Sequence, residues 1–315
     1  MKIVVLDKAT LGNDLDFSIL ENEGTVKFFE TTTKEQTIER IVDAEIIVTN
    51  KVVLKEDEFE AAKKLKLICV AATGYNNIDI EAANQKDICV TNVKGYSTDS
   101  VAQQIFAYLL AFYNSVFEFQ NDIRAGKWQK SNTFTMLSYP IFELKDKMIG
   151  IIGYGAIGKK IAQIAKSFGM IVLPTSLPNR QYSDERYDFE YVLKNADVIS
   201  VNVPLTPETL NLITIRQLEM MKKNAILVNY ARGGIVNEAD LAFALKNKII
   251  RGAIVDVLTQ EPPSQRNPLL DSPNLFITPH TAWTSFEART RLLEGIVYNI
   301  QNFKTGNIDK IKITN

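Results

Sequence analysis

The only imidazole in the chain belongs to His280, in the run Thr278-Pro279-His280-Thr281-Ala282-Trp283. Imidazole is the one side chain whose ordinary pKa, about 6.5, puts its charge change near neutral pH. If the protein moves a proton with an imidazole, His280 must supply it. Two more residues of catalytic type precede it. Arg232 stands in Asn229-Tyr230-Ala231-Arg232-Gly233-Gly234, and Glu261 in Asp256-Val257-Leu258-Thr259-Gln260-Glu261-Pro262. Alone, each has a plain structural explanation: a surface charge for Arg232, the solvated start of a proline turn for Glu261, a capping residue for His280. Together they form a set suited to carbonyl chemistry. A protonated imidazole can donate to an oxygen that gains charge, a carboxylate can orient the ring, and a planar guanidinium can grip a carboxylate with two parallel hydrogen bonds.

A second constellation lies upstream. Gly153-Tyr154-Gly155-Ala156-Ile157-Gly158 follows a strand-like run and opens a helix-like one, the context in which a GxGxxG spacing has a mechanism. Gly153 allows the tight turn, Gly155 lets the backbone approach a pyrophosphate, and Gly158 lets helix and strand pack closely, with Ala156 and Ile157 at the helix start. The free amides there favour a phosphate. About 20 residues further on, where an acid would bond the ribose 2′-hydroxyl of NAD, stand Ser176 and, close by, Arg180. A hydroxyl and a guanidinium suit a 2′-phosphate better, so either NAD(H) or NADP(H) is expected, with NADP(H) favoured.

These residues must be positioned by regular elements. Strand-like runs at residues 3–6, 26–29, 46–48, 67–70 and 88–91 alternate with helical stretches such as 33–44, where Thr33 and Gln36 have capping-box spacing. A second series runs through 148–152, 170–173, 198–203, 225–228, 254–257 and 275–277, with helices at 156–168 and 238–246. The pattern predicts an α/β fold of two doubly wound parallel sheets. Between them the spacing predicts one long helix over 99–125, with apolar surface left over for a dimer. The amphipathic stretch 285–303 is long enough to pack back on the first series.

Composition narrows the function. At 315 residues two domains are expected. Thirty-six basic residues against 37 acidic ones, with no dense basic block, point away from nucleic acid and anionic membrane. The apolar run at the N-terminus is too short for a signal peptide, and the longest other run, 105–113, is too short to span a bilayer, so a cytoplasmic protein is expected. Cys69 and Cys89 sit in apolar strands as structural thiols. No spacing suggests a metal site.

The ordered set of glycine motif, Arg232, Glu261 and His280 closely resembles the D-isomer-specific 2-hydroxyacid dehydrogenases, along essentially the whole chain. The details are most similar to the glycerate dehydrogenases, also called hydroxypyruvate reductases. They are the runs Ala72-Thr73-Gly74-Tyr75-Asn76-Asn77-Ile78-Asp79, Gly95-Tyr96-Ser97-Thr98 and Ser100-Val101-Ala102-Gln103, and Trp283 just after the histidine. The resemblance implies a flavodoxin-like substrate domain of residues 1–98 plus 285–315, a Rossmann NAD(P)-binding domain of 99–284, and an active site in the interdomain cleft. It implies hydride transfer between NAD(P)H and a small 2-keto acid, hydroxypyruvate or glyoxylate giving D-glycerate or glycolate, in a homodimer. His280 would be the acid, Glu261 would orient it and favour its protonated form, and Arg232 would hold the substrate. Thr73 and Gly74 would cradle the substrate carboxylate and Trp283 would cover it. Thr98, Val203, Pro204, Thr209, Tyr230, Ala231 and Asp256 would line the cofactor with Arg232 and His280, Asp256 receiving the carboxamide. The alternative is a dinucleotide-sensing regulatory protein of the same fold, which would bind without turnover.

Overall fold

The computed structural model describes residues 1–178, 180, 182 and 184–313. Two compact units divide the chain, one of Met1–Ser97 with Trp283–Asn315 and one of Thr98–Ala282. The division falls one residue before the expected first boundary and two before the second. Thr98 therefore starts the first helix of the second unit, and Trp283 belongs with the first, where its ring packs edge-on against Tyr96.

In the first unit five parallel strands, β1 (Lys2–Val5), β2 (Thr25–Phe28), β3 (Ile46–Thr49), β4 (Leu67–Val70) and β5 (Cys89–Asn92), lie in the order β2-β1-β3-β4-β5, the flavodoxin-like arrangement. Every residue of β3 and β4 is buried, as expected for central strands covered by helices on both faces. Edge strand β2 instead alternates exposed and half-buried residues. The helix Lys34–Ile41 begins where the sequence predicts, and the Thr33 amide donates to Gln36 Oε1 at 3.2 Å. The final helix, Phe286–Lys304, is capped by Ser285, whose hydroxyl accepts the Ala288 amide at 3.2 Å. Its buried stripe of Leu292, Leu293, Ile296 and Ile300 joins a core containing Ile3, Leu67 and Cys69. At roughly 1.5–3 kcal/mol for each such side chain, this stripe is what holds the helix on the first sheet. Cys69 and Cys89 are free buried thiols, and burial pushes the Cys69 thiol up to about 12, which keeps it unreactive.

In the second unit β6 (Met148–Ile152), β7 (Ile171–Thr175), β8 (Val198–Val201), β9 (Ile226–Asn229), β10 (Gly252–Val255) and β11 (Leu275–Ile277) are all parallel, in the order β11-β10-β9-β8-β6-β7. This is a Rossmann-type sheet whose strand order reverses between β6 and β8. Ligands of open α/β sheets bind at such a switch point, beyond the carboxyl ends of the strands.

The single helix expected over 99–125 is two helices, Thr98–Tyr113 and Val116–Arg124. Ser115 between them is left-handed, with φ 48°. The Asn114 side-chain amide donates to the Leu110 carbonyl at 2.9 Å and the Ser115 hydroxyl to the Pro140 carbonyl at 3.0 Å, so two short polar side chains compete with the helix and end it. The apolar surface of the stretch divides between its two helices. Val101, Ile105, Phe106 and Leu109 pack inside their own unit against Ile149, Ile151 and Ile161. In the second helix Val116 and Phe117 are exposed, as are Trp128, Phe134 and Leu137 further on, the last two 91% and 86% exposed. Among the described residues no helix is long and apolar enough to cross a membrane.

Candidate active site

The glycine turn follows β6 at the switch point. Gly153 has φ +94°, and a Cβ there would lie 2.6 Å from the Asn202 carbonyl oxygen and 2.8 Å from Val203 Cγ1. Only glycine suits both the turn and the contact with the segment after β8. A Cβ on Gly158 would meet the Gly153 carbonyl oxygen at 2.2 Å, so the helix Ala156–Ser167 packs directly on the turn. Gly155 differs, because nothing lies within 4 Å of its Cβ position. It caps a helix whose first turn carries no acidic side chain and receives no side-chain cap. An open cradle before an uncapped helix start fits a pyrophosphate. Asp99 and Lys160, paired at 2.8 Å, join the start of the helix Thr98–Tyr113 to this helix.

The other predicted cofactor residues fall around this crevice with different roles. Val203 is buried against Gly153, and Pro204 follows it exposed. The Thr209 hydroxyl donates to the Pro204 carbonyl at 2.7 Å and accepts the Thr206 amide at 2.8 Å, so it shapes this loop from within. The Ser176 hydroxyl donates to the Tyr187 carbonyl at 3.2 Å. Arg180 is exposed, with no ion pair among the described residues. Sequence reasoning missed Arg186, whose guanidinium takes both carboxylate oxygens of Asp184 at 2.8 and 3.0 Å and lies 4.0 Å from the Tyr182 ring centre. It also lies 5.9 Å from the Tyr154 ring of the glycine turn. The signal available in the sequence was a second arginine before the helix that follows β7.

Beyond the neighbouring strands β9, β10 and β11 lie Arg232, Glu261 and His280. The contact between the last two is direct: His280 Nδ1 is 2.6 Å from Glu261 Oε2. Glu261 Oε1 accepts the Leu258 amide at 2.9 Å, which holds the carboxylate at two points. With Nδ1 engaged, Nε2 is the ring nitrogen left for a reacting oxygen. The backbone of His280 is left-handed, φ +54°, and its amide donates to the carbonyls of Asp256 and Thr278, both at 2.9 Å.

Asp256, expected to receive a carboxamide, is 2% exposed. Its carboxylate accepts the Thr278 hydroxyl at 2.5 Å, the Thr281 amide at 2.8 Å and the Ala282 amide at 3.0 Å. Burial pushes this carboxyl upward, and those same donors pull against the shift. In the structure Asp256 is a brace for the segment that carries His280. Thr278 belongs to that brace and was not singled out by the sequence.

Arg232 is half-buried and donates from Nη1 to the Ala231 carbonyl at 2.8 Å. No carboxylate pairs with it among the described residues, so its remaining donors can serve a ligand. Its loop is fixed by Asn229, which bonds the Arg232 carbonyl at 3.0 Å and the Ala231 amide at 3.2 Å. A Cβ on the next residue, Gly233, would lie 2.0 Å from the Leu258 carbonyl oxygen, so the Arg232 and Glu261 loops touch through backbone. Tyr230 is buried, and its hydroxyl has no hydrogen-bond partner among the described residues.

In the first unit Thr73 and Gly74 lie past the end of β4. The Thr73 hydroxyl donates to the Val93 carbonyl at 3.1 Å, and neither backbone amide donates to a described group. Trp283 has its ring against Tyr96, with centroids 6.2 Å apart, and on the core of that unit.

Comparison with known proteins decides the class. Residues 106–282 match the model of the D-isomer specific 2-hydroxyacid dehydrogenase NAD binding domain. A glycerate dehydrogenase of Methylorubrum extorquens is 41% identical over 308 residues, 97% of this chain and 96% of that one. The chain belongs to the D-isomer specific 2-hydroxyacid dehydrogenase family. A hydroxypyruvate reductase of Blautia hydrogenotrophica is 37% identical, over 98% of each chain. Among solved structures, an acyclic imino acid reductase in complex with NADPH and D-Arg superposes with TM-score 0.87 at 28% identity, covering 99% of this chain and all of that one. This dehydrogenase is thus an oxidoreductase with a unit built for a nicotinamide dinucleotide, and the open Gly155 cradle fits that cofactor.

Proposed function

We propose that the protein reduces hydroxypyruvate or glyoxylate to D-glycerate or glycolate, and runs the reverse oxidation. The observation that carries this is the His280–Glu261 pair at 2.6 Å, on a loop that touches that of Arg232, an arginine with no carboxylate partner among the described residues. A bound dinucleotide supplies the hydride. The chain's residues do the rest. Arg232 holds the substrate carboxylate and carbonyl with its fork. His280, held through Nδ1 by Glu261, gives a proton from Nε2 to the carbonyl oxygen as that oxygen gains charge, and takes one back in the oxidation. Asp256 keeps the His280 segment in place.

The proposed cofactor preference is NADP(H). It rests on the lack of an acid directly after β7 and on Arg180 and Arg186 in the segment that follows. Since the Ser176 proton already goes to the Tyr187 carbonyl, the arginines carry most of the expected affinity for a 2′-phosphate. An initial-rate panel of hydroxypyruvate, glyoxylate, pyruvate and 2-ketobutyrate, each with NADH and NADPH, tests substrate and cofactor together. Hydroxypyruvate or glyoxylate with NADPH should give the highest kcat/KM. Turnover of none of the four would remove the substrate proposal, and a tenfold advantage for NADH would remove the preference.

The proposed assembly is a homodimer, supported by the exposed apolar side chains Phe117, Trp128, Phe134 and Leu137, which fall within one 21-residue stretch of the chain. Light scattering at micromolar concentration should read twice the chain mass, and Phe134→Ser with Leu137→Ser should shift it toward one. A monomer before substitution would count against it. The free, buried Cys69 and Cys89 suit a reducing compartment, and the cytoplasm is proposed.

A further inference from the structure

The second unit has a cavity of about 500 Å³ at the amino ends of its strands, the edge opposite the glycine turn. Its wall is made by residues that each precede a strand: Lys147 before β6, Asp197 before β8, Lys222 and Lys223 before β9, and Arg251 before β10. Tyr113 and Phe142 close its apolar side. The five residues of β6 separate it from Gly153, roughly 16 Å at about 3.3 Å per residue, so it is not part of the dinucleotide crevice.

The charges in this cavity do not balance. Lys222 pairs with Asp197 at 3.0 Å, and Asp197 also accepts the Met148 amide at 2.8 Å. That carboxylate is the only one in the wall. Lys147, Lys223 and Arg251 form no ion pair among the described residues. Arg251 is the least expected of them. Its guanidinium carbon lies 4.5 Å from the Phe142 ring centre, 5.3 Å from that of Phe112 and 5.4 Å from that of Tyr113. Rings cover it without satisfying any N–H, and it makes no side-chain hydrogen bond to a described residue. Burial disfavours its charge, and a guanidinium keeps its charge nonetheless. Arg251 is half-buried, and a partly desolvated cation gains from a ligand that supplies an anion. Beside it, burial pushes the Tyr113 hydroxyl up to about 12, so it remains a neutral donor.

We propose that this cavity binds a small phosphate monoester, its dianion on Arg251, Lys147 and Lys223 and its organic part against Phe142 and Tyr113. Three unpaired cations suit a dianion better than a single carboxylate. The edge of a ring-covered guanidinium presents two parallel N–H donors, the geometry that phosphate oxygens accept. The site does not depend on the substrate or cofactor proposed above.

Isothermal titration of the full-length protein, saturated with NADPH, with phenyl phosphate tests the proposal. One site per chain is expected, with Kd below about 1 mM. Lys147→Gln with Lys223→Gln should weaken binding at least about tenfold while leaving kcat unchanged, because two charge-assisted contacts are lost far from the reacting atoms. Arg251→Gln should abolish binding. Should that variant fold poorly, the lysine pair still decides, since Lys223 is exposed, Lys147 is half-buried and neither belongs to a hydrophobic core. No heat of binding up to 10-fold above that Kd, or unaltered affinity in the lysine variant, would overturn the site.

Discussion

Replacement of His280 by alanine is expected to lower kcat/KM for 2-keto acid reduction by at least about 100-fold, the usual contribution of a positioned general acid. The effect should fall on kcat, with dinucleotide affinity changing far less. The glycine turn and the helix Ala156–Ser167 hold the pyrophosphate without help from the imidazole. Glu261→Gln should give a smaller loss in kcat/KM. It keeps a partner for Nδ1 but replaces a charged acceptor by a neutral amide, which holds the ring less firmly. Because the chain has one histidine, no second imidazole can substitute for it. Near-full activity in the alanine variant would sink the assignment of His280.

Arg232→Ala should also cost at least about 100-fold in kcat/KM, with a larger share appearing as a raised KM for the keto acid, since a charge-assisted, bidentate grip on substrate is lost. Arg232→Lys should recover only part of it. An ammonium carries the charge, but it lacks the two parallel donors and is not braced by the Ala231 carbonyl in the same way. Steady-state kinetics on the three proteins with one cofactor suffices. If lysine restored the activity fully, charge alone would be the requirement and the fork would have no role.

Elements defined by near neighbours along the chain were legible in advance. The helix Glu238–Lys246 and strand β11 have the bounds that periodicity predicts. The Gly153 turn lies between strand and helix, as its spacing requires. The helix break at Asn114 and Ser115 was not legible. Strong apolar periodicity runs on either side of it, and what ends the helix includes a bond to Pro140, 25 residues away from Ser115. Asp256 was marked by its position, but its burial under Thr278, Thr281 and Ala282 depends on segments 22 to 26 residues further on. Trp283 was read as a cover for substrate, and a T-shaped contact with Tyr96, far away in sequence, is what its ring makes.

The sequence by itself determined the class of element at each place, the dinucleotide turn and which side chains are capable of acid–base and carboxylate chemistry. Those depend on residue type and on spacing within a turn or a strand. Tertiary structure alone decided which capable groups meet. His280 and Glu261 are 19 positions apart and share a hydrogen bond because β11 lies beside β10. Lys147, Lys223 and Arg251 are far apart in sequence, and strand order gathers them around one cavity. Strand order follows from how helices and sheet share one buried core, a balance summed over the whole unit that no local stretch of sequence contains.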